Sequence, residues 1–311
     1  MTTLVLGGTG FIGKRAVPRL IQRGEKVVVM DINPGAADFS EFGDQVEVMR
    51  GDIMQFQDVV TAILHAKPDR IMNLAYLLGS GDDTPHFTMK LNILGMDNSF
   101  EAARICGVNR VTYASSIAVS GPQSNFGDVA IDEDAPMHGS NQYAMHKRFN
   151  EFQAQQFNDV YGMSITGIRP ANVTGPDKVR GSTDHVQVVT LPASGQVANF
   201  PKAGLMRCPV HVDDIAEAFV RVTMVDKSAY PIYNSGGYPI SLGDLALIVK
   251  KHLPEAEINF ASPDGKDESG NYLVNNDRLL GEFELEYPPI EQRVLQIIND
   301  VRRDEGLPLV G

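Results

Sequence analysis

Short apolar runs alternate with amphipathic stretches through the first half of the chain. Residues 3–6, 26–30, 46–49, 70–75, 110–114 and 164–168 are compact, mainly apolar runs. Runs of this length and texture predict strands buried on both faces. Between them, residues 11–23, 58–66, 85–106 and 141–161 carry spaced apolar positions and predict helices. Gly24, Pro68, Gly107 and Gly162 stop them in turn. This rhythm predicts an α/β fold, a doubly wound parallel sheet with helices on both faces. Pro18 falls inside the first predicted helix. An interior proline costs about 3 kcal/mol relative to alanine, which predicts a kink there.

Beyond residue 170 the rhythm loosens. Gly, Pro and Asp cluster over 175–184 and 262–270, with helix candidates at 213–224 and 242–252. Residues 1–170 read as a cofactor-binding domain to which later segments return. Residues 171–311 read mainly as a smaller lobe that holds the substrate.

Composition narrows the partners. The 311 residues carry 27 Lys+Arg against 39 Asp+Glu, a formal net charge of −12. That surplus counts against nucleic acid and against anionic membranes, which recruit Lys and Arg. No apolar run approaches the ~18 residues of a spanning helix. Residues 3–6 are too short for a signal-peptide core and run straight into glycines. The two cysteines, Cys106 and Cys208, make no disulfide framework. A cytoplasmic protein with free thiols is expected. None of the seven histidines has ligand-like spacing to another, so no metal is expected.

The first strand leads into Gly7-Gly8-Thr9-Gly10-Phe11-Ile12-Gly13. Glycines here let the backbone turn tightly and approach a pyrophosphate. The following helix offers that anion its free N–H groups. The strand–turn–helix setting marks a Rossmann-type dinucleotide site. Asp31 closes the second strand, 18 residues beyond Gly13. An acid there bonds a ribose 2′-OH and repels a 2′-phosphate, which favours NAD over NADP. Lys14 and Arg15 argue the other way, as cations able to meet a phosphate.

Tyr143 and Lys147 share one helix face at i and i+4. An ammonium beside a phenol favours the phenolate and lowers its pKa from about 10. That suits tyrosine to acid/base work near neutral pH. Ser115 and Ser116 follow the fifth strand. Ligands of open α/β sheets bind at such strand ends, where a hydroxyl polarises a carbonyl.

The chain resembles the extended short-chain dehydrogenase/reductase family, the NAD-dependent epimerase/dehydratase group. The resemblance runs through Gly7/Gly10/Gly13, Gly51-Asp52-Ile53, Asn73-Leu74-Ala75, Asn92, the Ser-Ser turn and Tyr143/Lys147. It continues in Arg169-Pro170-Ala171-Asn172-Val173-Thr174-Gly175-Pro176 and Val210-His211-Val212-Asp213-Asp214. It implies Ser116 as the catalytic serine, with Ser115 the weaker candidate. It implies Tyr143 as acid/base and Lys147 as its tuner and holder of the nicotinamide ribose. Asn92 matches a helix asparagine that supports a proton-relay water. Gly7, Gly10, Phe11, Ile12, Gly13, Asp31, Asp52, Ile53, Leu74 and Ala75, with Tyr143 and Lys147, then bind the cofactor. His211, Asp213 and Asp214 fit a structural turn into a helix. Family members often pair through their two long helices, which implies a homodimer through 85–106 and 141–161.

Two subgroups divide the substrate question. Sugar-nucleotide members clamp a diphosphate with arginines. Arg207 matches one, and Asn172 matches a phosphate contact. The second arginine is missing where Pro263-Asp264-Gly265-Lys266-Asp267-Glu268 stands. The chain is also similar to short-chain-type L-threonine 3-dehydrogenases. That similarity shows at Leu74-Ala75-Tyr76-Leu77-Leu78, at Gly181-Ser182-Thr183-Asp184 and over residues 248–255. It adds Thr183 to Ser116, Asn172 and Arg207 as substrate candidates. Two departures stand against it: Arg169-Pro170-Ala171-Asn172 follows the epimerase pattern, and a tryptophan common in that subgroup is absent from a chain with no Trp.

The expected activity is hydride transfer between NAD and a secondary alcohol or ketone of a small polar molecule without a nucleotide handle. A nucleotide-sugar epimerase or dehydratase with tightly held NAD is the alternative. A non-catalytic NAD-binding sensor or scaffold is a third class. Its signature would be a broken Ser/Tyr/Lys set, and this set is intact.

Overall fold

The computed structural model describes residues 1–78, 84–262 and 270–311. The first winding runs β1 (Thr2–Leu6), α1 (Gly13–Gln22), β2 (Lys26–Asp31), β3 (Val46–Arg50), α2 (Phe56–Ala66) and β4 (Arg70–Asn73). The second runs α3 (Pro85–Met89), a π-helical turn Lys90–Leu94, α4 (Gly95–Ile105), β5 (Arg110–Ala114), α5 (Gln142–Tyr161) and β6 (Ser164–Arg169). Then come β7 (Asn172–Thr174), α6 (Asp184–Ala193), β8 (Ala198–Lys202), β9 (Met206–Arg207), β10 (Pro209–His211), α7 (Val212–Met224) and β11 (Ile232–Asn234). The chain closes with β12 (Ile240–Ser241), α8 (Leu242–His252), β13 (Ile258–Ser262), α9 (Asp277–Phe283) and α10 (Ile290–Asp304).

Seven strands form one parallel sheet in the order β11-β6-β5-β4-β1-β2-β3. Strand order reverses between β1 and β4, and ligands bind outside such a switch point. Alternation along β1 and β2 divides the core between two faces. Val5, Val27 and Val29 join Val17, Leu20 and Phe219 on one face. Leu4, Leu6, Val28 and Met30 join Ile63, Ile71 and Phe100 on the other. Phe219 lies on α7, and β11 pairs with β6, so both come back to the sheet from beyond residue 170. A third core, with Val188, Val189, Leu245, Val249, Ile258 and Ile298, holds the C-terminal lobe.

The predicted elements recur with ends shifted by a few residues, and three differences stand out. The helix expected over 85–106 is interrupted by the π-helical turn. α1 runs through Pro18 as one helix. Helices α6, α9 and α10 have no counterpart among the elements expected from sequence. For α10 the signal was present: Val294, Ile297, Ile298 and Val301 recur at helical spacing between Pro289 and Arg302. Among the described residues, no helix is long and apolar enough to cross a membrane.

Candidate active site

The glycine turn is built by close approach. Gly7 has φ +78°, and a Cβ there would lie 2.7 Å from the Ala75 nitrogen. A Cβ on Gly13 would lie 2.5 Å from the Gly8 carbonyl oxygen. Neither position admits a side chain without moving backbone. The Gly7 N–H donates to the Met30 carbonyl at 2.9 Å, and the Leu74 N–H to the Leu6 carbonyl at 2.8 Å. No side chain caps the N-terminus of α1, which leaves its donors to an anion.

A cavity of about 200 Å³ opens beside this turn. Seven of the expected cofactor residues line it: Gly7, Gly10, Asp31, Asp52, Ile53, Leu74 and Ala75. Phe11, Ile12 and Gly13 lead into α1 at its edge. The Asp31 carboxylate accepts from the N–H groups of Thr9 at 3.2 Å and Asn33 at 3.0 Å. It is thereby fixed at the cavity wall. Asp52 accepts from the Met54 N–H at 2.9 Å. Ile53 is held by its carbonyl, which accepts from Asn98 at 2.8 Å.

Lys14 and Arg15 are both ion-paired to Asp177, Arg15 at 2.8 Å. The cations that argued for a 2′-phosphate are thus engaged elsewhere. Replacing Asp31 with alanine is expected to narrow the NAD/NADP preference by about tenfold or more. Parallel binding titrations with the two cofactors check this. An unchanged preference removes Asp31 from that role.

α5 carries the chemistry onto the sheet. Its N-terminus is capped by the Asn141 side chain, which accepts from the Ala144 N–H at 2.8 Å. Half-buried Tyr143 sits in the first turn. The Ser116 oxygen accepts from the Ala118 N–H at 3.2 Å and caps the turn that follows β5. Ser115 turns away and donates to Glu151. The two serines thus differ: Ser115 is engaged by Glu151, and Ser116 caps the following turn.

Lys147 is 1% exposed. Its ammonium donates to the Ala114 carbonyl at 2.6 Å and lies 3.0 Å over the Tyr76 ring centre. The Tyr143 ring centre is farther, at 5.8 Å. This corrects the expected electrostatics. Burial pushes the Tyr143 phenol up to about 12, opposed by the Ser116 hydroxyl. Burial also pulls Lys147 well below its ordinary value, with Glu151 resisting.

Asn92 lies in the π-helical turn and is 1% exposed. Its amide grips the Leu77 backbone at both ends, accepting at 3.0 Å and donating at 3.1 Å. It pins the segment that carries Tyr76. A relay role through that side chain would have to share it with this clamp. Tyr76 itself meets Tyr143 edge to face, with ring centres 5.7 Å apart.

Tyr76 and Glu151 were given no role on sequence grounds. Glu151 continues the Tyr143/Lys147 spacing by another four residues, a signal available in the sequence. Buried Arg169 forks onto Glu151 at 2.9 and 2.7 Å, fixing the floor beneath the serine turn.

Three of the four substrate candidates, Asn172, Thr183 and Arg207, lie together at the lobe, whereas Ser116 stands in the turn after β5. The Asn172 side chain accepts from the Cys208 N–H at 2.8 Å, beside Arg207. Thr183 precedes α6. Arg207 makes a two-pronged ion pair with Asp184, at 3.0 Å from Nε and 2.5 Å from Nη2. Burial opposes the Asp184 charge, yet His185 and Arg207 hold its carboxyl far below the usual range. Burial pushes nearby Lys178 down to about 8. The stretch 263–268, where the second arginine was sought, lies outside the described residues. His211 turns the chain into α7, accepting from the Asp213 N–H at 3.2 Å, and burial lowers it to about 4.

A glycine-lined crevice at the switch point, with Ser116, Tyr143 and Lys147 at its side, defines a dinucleotide-dependent enzyme. Residues 3–236 match the NAD dependent epimerase/dehydratase family, and the chain belongs to it. A UDP-glucose 4-epimerase of Mycolicibacterium smegmatis is 33% identical over 232 residues, covering 71% of this chain and 72% of that protein. The NAD complex of a Thermus thermophilus UDP-glucose 4-epimerase superposes with a TM-score of 0.84 at 22% identity, covering 97% of this chain and 99% of that one. A GalE-like L-threonine dehydrogenase from Cupriavidus necator, in its holo form, gives 0.84 at 18% identity, covering 96% and 99%. These two structures share the fold with this chain. NAD fits the site, because Gly7 and Gly10 line the cavity with the Asp31 carboxylate, beside the uncapped N-terminus of α1.

Proposed function

We propose that this enzyme moves hydride between NAD and a small polar secondary alcohol or the matching ketone. When bound, NAD supplies the carbon that accepts or gives the hydride. The turn Gly7–Gly13 and the start of α1 receive its pyrophosphate, and Asp31 its adenosine ribose. Ser116 holds the substrate hydroxyl, and Tyr143 takes or returns its proton. Lys147 holds the nicotinamide ribose.

One observation carries the choice of a small substrate. The arginine available for a diphosphate, Arg207, is already gripped by Asp184. The second reading is a nucleotide-sugar epimerase, supported by the M. smegmatis relative and by the presence of Arg207 and Asn172. A substrate panel with NAD separates the two, using UDP-sugars beside small hydroxy acids and alcohols. A dehydrogenase changes nicotinamide absorbance in bulk with an alcohol. An epimerase interconverts sugars without net change, and that result would replace this reading.

We also propose a homodimer through the long helices. Met145, Phe149 and Phe152 recur at i, i+4 and i+7 on α5 and are 47%, 44% and 61% exposed. Phe87, Met89 and Leu94 are exposed along the neighbouring helical segment. Apolar rings in such a row suit burial against a second copy. Phe149→Glu/Phe152→Glu is expected to halve the mass seen by light scattering while NAD still binds. A monomeric parent protein overturns the dimer.

A further inference from the structure

Arg207 ends β9 beside the catalytic segment. A Cβ on Gly270 would lie 3.2 Å from its Nη1, and the Gly270 carbonyl accepts from Gln123 at 3.1 Å, just past the serine turn. The loop leading to Asp184 touches the other wall, because a Cβ on Gly181 would lie 3.6 Å from Leu78. The segments flanking the pair thus reach Gln123, past the serine turn, and Leu78, two residues beyond Tyr76.

A guanidinium grips an oxyanion best through its Nε/Nη2 edge, where two parallel donors meet two oxygens. Both donors of that edge go to Asp184. Nη1 donates to the Met206 carbonyl at 3.1 Å. Asp184 is itself tied down. It accepts from the His185 N–H at 2.7 Å and the Ser182 hydroxyl at 3.2 Å. It also stands in the first turn of α6, where the helix dipole favours a negative charge. Lys178, a third charged group here, donates to the Val173 carbonyl at 2.7 Å.

A diphosphate entering this place meets two obstacles. It must displace a preorganised carboxylate from Arg207, and it must then sit beside that carboxylate. Among the described residues, Lys178 and Arg207 less Asp184 leave a single positive charge here, short of what a diphosphate needs. Like charges so placed disfavour the wrong ligand.

We propose that Asp184 determines the substrate class. It occupies the anion-gripping edge of Arg207 from within the chain and so excludes ligands with a diphosphate. The idea rests on the small-substrate reading above. It predicts that removing this one charge creates a diphosphate site.

The test is calorimetric titration of the NAD-loaded enzyme with UDP. Asp184→Asn is expected to bind UDP at least about tenfold more tightly than the parent protein. Adding Arg207→Gln should abolish the gain. Asp184→Ser serves as a second variant, and retained NAD binding shows that each protein is folded. UDP affinity unchanged in both Asp184 variants overturns the proposal. If the parent protein then fails to bind UDP as well, only the role of Asp184 falls. If the parent protein binds UDP-glucose and epimerises it, the small-substrate reading falls with it.

Discussion

Tyr143→Phe is expected to lower turnover by about 10²–10⁴-fold while NAD affinity stays within about twofold. The substitution removes one oxygen and keeps the ring. The edge-to-face contact with Tyr76 survives, as does the capped first turn of α5. The cavity lining beside Gly7, Asp31 and Ala75 is untouched. What disappears is the group proposed to exchange a proton with the substrate hydroxyl. Steady-state rates on the best panel substrate, with a separate NAD titration, check both halves. Turnover like that of the parent protein sinks the mechanism.

The same phenol gives the pH dependence its sign. Burial holds its pKa up, at about 12. Alcohol oxidation needs the deprotonated form, so its rate should rise with pH. Lys147 rests on Tyr76 and stands 5.8 Å from the Tyr143 ring centre, so Lys147→Met should leave the position of that rise in place. A flat profile in both proteins contradicts this assignment.

Gly7→Ala is expected to weaken NAD binding at least about tenfold and to lower the melting temperature by several degrees. Two costs add. A left-handed backbone costs a non-glycine residue roughly 1–2 kcal/mol. The new methyl would also press on the Ala75 backbone at 2.7 Å, which cannot rotate aside, and overpacking costs roughly 1–3 kcal/mol more. Gly24→Ala isolates the first cost. Gly24 has φ +82°, but nothing lies within 4 Å of its would-be Cβ. Its variant should lose about 1–2 kcal/mol of stability and keep NAD affinity. Equal NAD affinity for Gly7→Ala and Gly24→Ala would remove the close approach at Ala75 from cofactor binding.

The winding of the sheet was legible because buried parallel strands write themselves as valine-rich runs, as in residues 26–30. The glycine turn was legible because its spacing reflects distances that only glycine tolerates. Side-chain pairings across long separations were not. Nothing near Lys147 in sequence announces that its ammonium will rest on Tyr76, 71 residues earlier. Nothing beside Arg207 announces Asp184. The π-helical turn was hidden for another reason: Asn92 draws Leu77 across, and a tertiary contact of that kind does not alter the local apolar period. Local periodicity did carry α10, which went unrecognised all the same.

The return of α7 and β11 to the sheet bears on how this chain comes off the ribosome. One wall of the sheet, around Val17, Leu20 and Val27, is covered by Phe219. The edge strand against β6 ends at Asn234. A nascent chain released only to residue 170 therefore holds the glycine turn but exposes that apolar wall. The nucleotide half is a closed surface only after some sixty further residues have emerged, so a gene fragment cut at 170 should yield aggregates rather than a small NAD-binding module.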